Sequence, residues 1–193
     1  MPQALADGEF VVYFQPKVRV DTRTLVGAEA LIRWKRDGKI ISPADFIPIA
    51  ERTGFIMKLD MFVLEHTCAM IKQWQENGKR TVPVSVNFSK IHLRFPHLAE
   101  KIMNVINRYG IEPHYLEVEF TETAYTDDFN AIKQAIIDLK SYGLMVSMDD
   151  FGTGYSSLAL LKDLDFDILK LDKSLAGSDD DARGQVVLEN ILH

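Results

Sequence analysis

Cysteine is nearly absent: Cys68 is the single one among 193 residues. A disulfide framework is therefore excluded, and a reducing compartment is the simple inference. Basic charge is also short. Lys and Arg number 22 against 28 Asp and Glu, a formal net charge of -6. A non-specific nucleic-acid binder would be basic, so that class is disfavoured. An acidic protein can still take an anionic substrate if divalent cations lie between them. Long apolar runs are missing too. The best stretch, Phe55 to Cys68, is broken by Lys58, Asp60, Glu65 and His66, so no span of membrane length is expected. The first residues lack the basic start and apolar stretch of a secretory leader, and they read as the end of a helix leading into a strand, as if the chain began inside a longer protein. What is present, 47% hydrophobic and 26% charged residues, suits one globular domain with a sizeable core.

Strand and helix signals alternate along the chain. Phe10 to Phe14 is β-rich and ends at Gln15-Pro16, which suits a strand end or an edge. Val18 to Leu25 reads as a loop or hairpin, Val26 to Trp34 as a second strand, and Lys35 to Lys39 as a polar turn. Ser42-Pro43 opens a helix that Gly54 closes. A longer helix runs from about Ile56 to Asn77, with apolar residues at helical spacing. Thr81 to Phe88 is a third strand, and a helix is expected over Phe95 to Tyr109. Tyr115 to Phe120 alternates apolar and acidic residues. Asn130 to Tyr142 is helical, Leu144 to Asp150 is a buried strand, and Ser157 to Asp163 is another helix. Phe166 to Leu171 is the sixth strand, and Gln185 to His193 starts a further helix. The alternation predicts a mostly parallel α/β sheet. By spacing alone six strands favour an open doubly wound sheet, because a closed barrel needs eight and about 250 residues.

Polar residues fall at the ends of these strands. Glu29 lies in the second, Asn87 ends the third, and Glu119 is near the end of the fourth. Asp149 and Asp150 end the fifth, followed by the turn Gly152-Thr153-Gly154, and Lys170 is near the end of the sixth. Singly, each has a structural role open to it. Glu29 can point to water from an edge, Asn87 can cap the next helix, Glu117 or Glu119 can be solvated, and Lys170 can pair with Asp172 or Asp167. Five such roles on successive strands would be a coincidence. In a parallel sheet the carboxyl ends share one face, where α/β proteins place their chemistry. Converging carboxylates need a cation. Carboxylates plus an amide are hard oxygen donors suited to Mg2+ or Mn2+, and Cys and His partners for zinc are lacking. The surplus of acids points to a two-metal site for phosphoryl transfer, with Lys170 orienting the attacking water or stabilising negative charge.

The same residues resemble the EAL family of cyclic di-GMP phosphodiesterases. The name motif is Glu29-Ala30-Leu31, within Gly27 to Trp34. Around it stand Phe14-Gln15-Pro16, Ser42 to Pro48, Glu51 with Thr53-Gly54, and Val86 to Ser89. Glu119 to Glu122, Asp149 to Leu158 and Leu169 to Asp172 follow in the family's order. The resemblance implies a modified TIM-like (β/α) barrel with one antiparallel strand, in place of the open sheet. It implies that Glu29, Asn87, Glu119, Asp149 and Asp150 bind two Mg2+ or Mn2+ ions, with Glu29, Asp149 and Lys170 as the catalytic set and Lys170 placing the water. It also implies that Gln15, Leu31 and Arg33 contact the dinucleotide, and that Glu122 orders the loop after Asp150, which helps form a homodimer.

The reaction so implied is hydrolysis of cyclic di-GMP to linear pGpG by a cytoplasmic domain, itself free or part of a membrane-anchored signalling protein. An upstream sensor or diguanylate-cyclase-like domain is expected. The family's seventh strand, with Glu-Gly-Val-Glu, and its eighth, with a Gln-Gly pair, have no match here. Residues 1–193 are thus expected to form one EAL domain shortened at its C-terminal end, with the last two barrel strands absent. That departure motivates an alternative: a non-catalytic cyclic di-GMP-binding regulatory domain. From the residues alone an enolase-like barrel with Lys170 as base and one Mg2+ is a third reading, which the adjacent aspartates fit poorly.

Overall fold

The computed structural model describes residues 1–124, 129–152 and 163–174. Its strands are β1 (Phe10–Val18), β2 (Leu25–Arg36), β3 (Lys39–Ile41), β4 (Val84–Asn87), β5 (Leu116–Thr121), β6 (Met145–Phe151) and β7 (Ile168–Leu171). They form one sheet in the order β1-β2-β4-β5-β6-β7, with β3 paired to β2. β1 and β3 run antiparallel to β2, and every later neighbour is parallel. The helices are α1 (Pro2–Ala6), α2 (Pro43–Thr53), α3 (Ile56–Glu76), α4 (Leu98–Tyr109) and α5 (Phe129–Ser141).

Side-chain alternation decides the architecture. Val84, Val86, Val118, Phe120, Val146 and Met148 occupy one face and pack with Leu64 and Ile71 of α3, Ile102 and Ile106 of α4, and Ile132 and Ile136 of α5. Each such burial contributes about 1.5–3 kcal/mol. A second cluster joins Phe10, Phe46, Ala50 and Leu59 to the indole of Trp34, covering the same face under α1 and α2. The opposite face carries Ser85, Asn87, Glu117, Glu119, Ser147 and Asp149, which share rows through the parallel registers. A doubly wound sheet needs apolar residues on both faces and a reversal of strand order. This sheet has neither, so the open doubly wound expectation fails. One helix-covered face, one polar face and sequential strand order belong to a barrel wall.

Several expectations need correction in detail. The polar stretch after Trp34 is a hairpin, not only a turn: Arg36 pairs with Lys39 across Asp37 and Gly38, whose φ values are 50° and 73°. Two positive φ values match the right-handed twist of paired strands, and Asp-Gly supplies them cheaply. β1 runs through Pro16 to Val18, because on its outer edge Pro16 has no ladder bond to lose. The helix expected from Phe95 begins only at Leu98. His97 before it is left-handed (φ 69°), and Lys90–Arg94 form a separate 3-10 turn. The helices expected over Ser157–Asp163 and Gln185–His193 lie in, or almost wholly in, stretches outside the described residues.

Candidate active site

Five strands bring the candidate residues to the carboxyl end of the polar face. Glu29 on β2 faces Gln15 on β1 and Ser85 on β4. Asn87 is the last residue of β4 and lies in register with Glu119 on β5. Asp149 on β6 is level with Thr121, and Lys170 is the third residue of β7. One carboxylate oxygen from each of Glu29, Glu119 and Asp149 lies within 4.8 Å of the others. Asn87 Nδ2 donates to Glu29 Oε1 at 3.1 Å.

Lys170 supplies the cation that the cluster requires. Its Nζ lies 3.2 Å from Glu29 Oε2 and 3.1 Å from Asp149 Oδ2, and it donates to Glu119 Oε1. The pairing of Lys170 with Asp167 or Asp172 weighed from the sequence is absent; Lys140 holds Asp167 instead. Burial works against the Lys170 charge, but the three carboxylates outweigh it and hold its pKa above the ordinary lysine value. Burial pushes the Glu119 carboxyl up to about 7, and contact with Asp149 adds to the rise. Burial acts in the same direction on Asp149, but Glu119 and Lys170 outweigh it and hold Asp149 below its ordinary value.

Asp150 lies outside the three-carboxylate cluster. Its φ is 56°, a left-handed conformation that Asp tolerates better than most residues. The β6–β7 register shifts between Met148 and Phe151, so the two aspartates sit on an irregular strand end. Burial first, then the charges of Asp149 and Asp172, raise the Asp150 pKa. Glu122, 1% exposed, ties this end to β5: its Oε2 accepts from the Gly152 N–H at 2.8 Å, and its own N–H donates to Asp149 O at 2.9 Å. Leu31 and Arg33 line a cavity of about 610 Å3, shared with Asn87, Ser89, Glu51 and Asp60. Gln15 is exposed opposite Glu29.

The sequence treats Glu117 and Glu119 as equals on one strand face, either free to be solvated. Both are buried, at 3% and 0% exposure. Lys17 on β1 takes Glu117, two residues before Glu119, in a two-oxygen contact at 3.1 Å. Sequence reasoning also misses Asp60, which lines the cavity, and His92, a buried pair 3.0 Å apart. A signal existed: Asp60 shares the apolar face of α3 with Ile56, Leu59, Val63 and Leu64. A carboxylate in that position needs a partner.

The donors fit a hard divalent cation. Three carboxylates and an amide converge, and the fully buried Glu119 Oε2 has no hydrogen-bond partner among the described residues. A cluster at the carboxyl edge of a barrel wall lies where α/β barrels carry their chemistry. The EAL domain model matches residues 1–193, and the chain belongs to the EAL domain family. It is 36% identical over 185 residues to the bifunctional diguanylate cyclase/cyclic di-GMP phosphodiesterase MucR of Pseudomonas aeruginosa, covering 93% of this chain and 27% of that protein. A cyclic di-GMP phosphodiesterase of the same organism is 34% identical over 186 residues, 92% of this chain and 31% of that protein. A solved structure described as the PaMucR phosphodiesterase with cyclic di-GMP aligns with TM-score 0.91 at 33% identity, over 99% of this chain and 78% of that one. The fold is thus the TIM-like barrel of this family, with β1 as the strand opposed to its parallel neighbours. Among the described residues the sheet does not close between β7 and β1. The chain spans about a quarter of the length of the curated relatives it matches.

Proposed function

We propose that this domain hydrolyses cyclic di-GMP to linear pGpG. The observation that carries the reading is the convergence of Glu29, Glu119 and Asp149 on Lys170, beside the cavity lined by Leu31 and Arg33. Glu29, Asn87, Glu119, Asp149 and Asp150 would hold two Mg2+ or Mn2+ ions. When bound, those ions supply Lewis-acid activation of water and neutralise phosphate charge. Arg33 and Leu31 bind the dinucleotide from the cavity side, and Gln15 from β1. Lys170, released from part of its carboxylate contacts, donates to the attacking water and fixes its line of approach. Water's oxygen joins phosphorus, the P–O3′ bond breaks, and a proton ends on the released 3′-oxygen.

Glu122 holds the start of the loop after Asp150, through which two copies pair. Most of that loop, from Thr153, lies outside the described residues. A sensor or diguanylate-cyclase-like domain precedes residue 1 in a cytoplasmic signalling protein. The alternative reading is a receptor domain that binds cyclic di-GMP without turnover. The parent protein incubated with cyclic di-GMP and Mg2+ should release pGpG. Binding in Ca2+ without any product in Mg2+, from a folded protein, would favour the receptor.

A further inference from the structure

Among the five proposed ligands only Asn87 carries no charge, so its amide has to be aimed rather than attracted. We propose that Asp60 and His92 form a buried clamp that fixes the chain just after β4 and so positions Asn87 against Glu29. The inference rests on the reading of Asn87 as part of the metal site.

β4 has four residues and ends at Asn87. A strand that short has little ladder of its own to hold its last side chain. The chain beyond it is pinned in three places. The Phe88 N–H donates to the Glu119 carbonyl at 2.9 Å. The Ser89 N–H donates to Asp60 Oδ2 at 3.0 Å, and His92 Nε2 lies 3.0 Å from that same oxygen. The Ser89 hydroxyl donates to Glu51 Oε1 at 3.1 Å. The Phe88 and His92 rings meet edge to face at 5.2 Å, which closes the fold of residues 88–92 on itself.

Asp60 and His92 are 7% and 3% exposed. On the apolar face of α3 a leucine would pack at position 60 without desolvating a charge. The carboxylate instead gives one oxygen two contacts, the Ser89 N–H and His92 Nε2, from a segment 29 and 32 residues away. The result is a fixed backbone two residues from Asn87. There the Nδ2 donates to Glu29 Oε1 at 3.1 Å, which leaves Oδ1 as the amide atom able to meet a cation. Supporting bonds of this kind, behind a ligand, commonly set both its orientation and the metal's affinity.

The test uses the full chain, Mn2+ titrated by its spin resonance signal, and amide hydrogen exchange at Ser89. Asp60→Ala should speed Ser89 exchange and weaken Mn2+ binding about 10-fold, whereas Asp60→Asn, which keeps an acceptor oxygen, should stay within about 3-fold of wild type. Because Asp60 acts through Asn87, Asp60→Ala in an Asn87→Ala background should weaken Mn2+ no further. Ile102→Ala, destabilised in the distant core, should leave Mn2+ affinity unchanged while folded. Additive losses in the double variant overturn the clamp. So does a folded Asp60→Ala chain with wild-type exchange and affinity. If Asp60→Ala does not fold, His92→Phe carries the test. It keeps a ring against Phe88 and loses the Nε2 contact, so exchange and affinity should both move in the same direction; no change in either overturns the proposal. If the wild-type chain takes up no Mn2+, the metal site is wrong. The Ser89 exchange rates then decide the clamp alone, acceleration supporting it and its absence overturning it.

Discussion

Lys170 stands between three carboxylates at one end of the barrel wall. Removing it leaves like charges facing each other. Lys170→Met should therefore destabilise the chelator-treated chain by about 3 kcal/mol, and Mg2+ should restore much of the loss. Thermal unfolding with and without Mg2+ checks this, and equal losses in both conditions would contradict it. In kinetics, Lys170→Ala should lower kcat far more than it raises KM. Glu119 gives a pH signature. Its folded pKa of about 7 lies above the ordinary 4.5, so it binds its proton more tightly in the folded chain. The stability this contributes is full below pH 4.5 and is lost as pH rises towards 7. Urea midpoints of the metal-free chain should fall across that window, and Glu119→Gln should flatten the fall. An unchanged slope in the Gln variant would show that another group is responsible. That Glu29, Asn87, Glu119, Asp149 and Lys170 meet was legible in the sequence because polar side chains recur at successive strand ends. The individual pairings were not. Nothing local says that Lys170 pairs with Glu29, 141 positions away, in place of the nearby Asp167.

Elements with strong local chemistry matched their expected bounds. α2 begins at Pro43 and stops at the left-handed Gly54, and α3 runs from Ile56 to Glu76. Elements held by neighbours did not. β3 is three residues long and exists only because Trp34, Lys35 and Arg36 offer it a partner. Glu117 shows the same limit on β5. Alternation placed it on the face of Glu119 but could not reveal Lys17, 100 positions away, as its counter-ion. Lys17 is partly exposed, so its loss is screened. Lys17→Met should cost about 1–3 kcal/mol, and Lys17→Met with Glu117→Gln should recover part of it. Chemical denaturation of the wild type, the two single variants and the double variant measures the coupling, and strict additivity would contradict the pairing.

At the scale of the molecule, the sheet's two faces carry different information. The helix-facing residues determine that it folds, and the polar face determines what it can do. Strand count alone pointed to a doubly wound sheet because counting ignores which face is apolar. Sequential order with the described helices on one side identifies a barrel wall. With a net charge of -6, the proposed anionic substrate would meet an acidic protein, so a bridging cation is integral to the proposal. The most direct test is pGpG formation from cyclic di-GMP by the parent protein and its Asp149→Asn variant in Mg2+. The variant removes one charge from the cluster and keeps its shape. The account predicts product from the wild type and a loss of at least about 100-fold in the folded variant. A folded Asp149→Asn protein that turns over at the wild-type rate would contradict it.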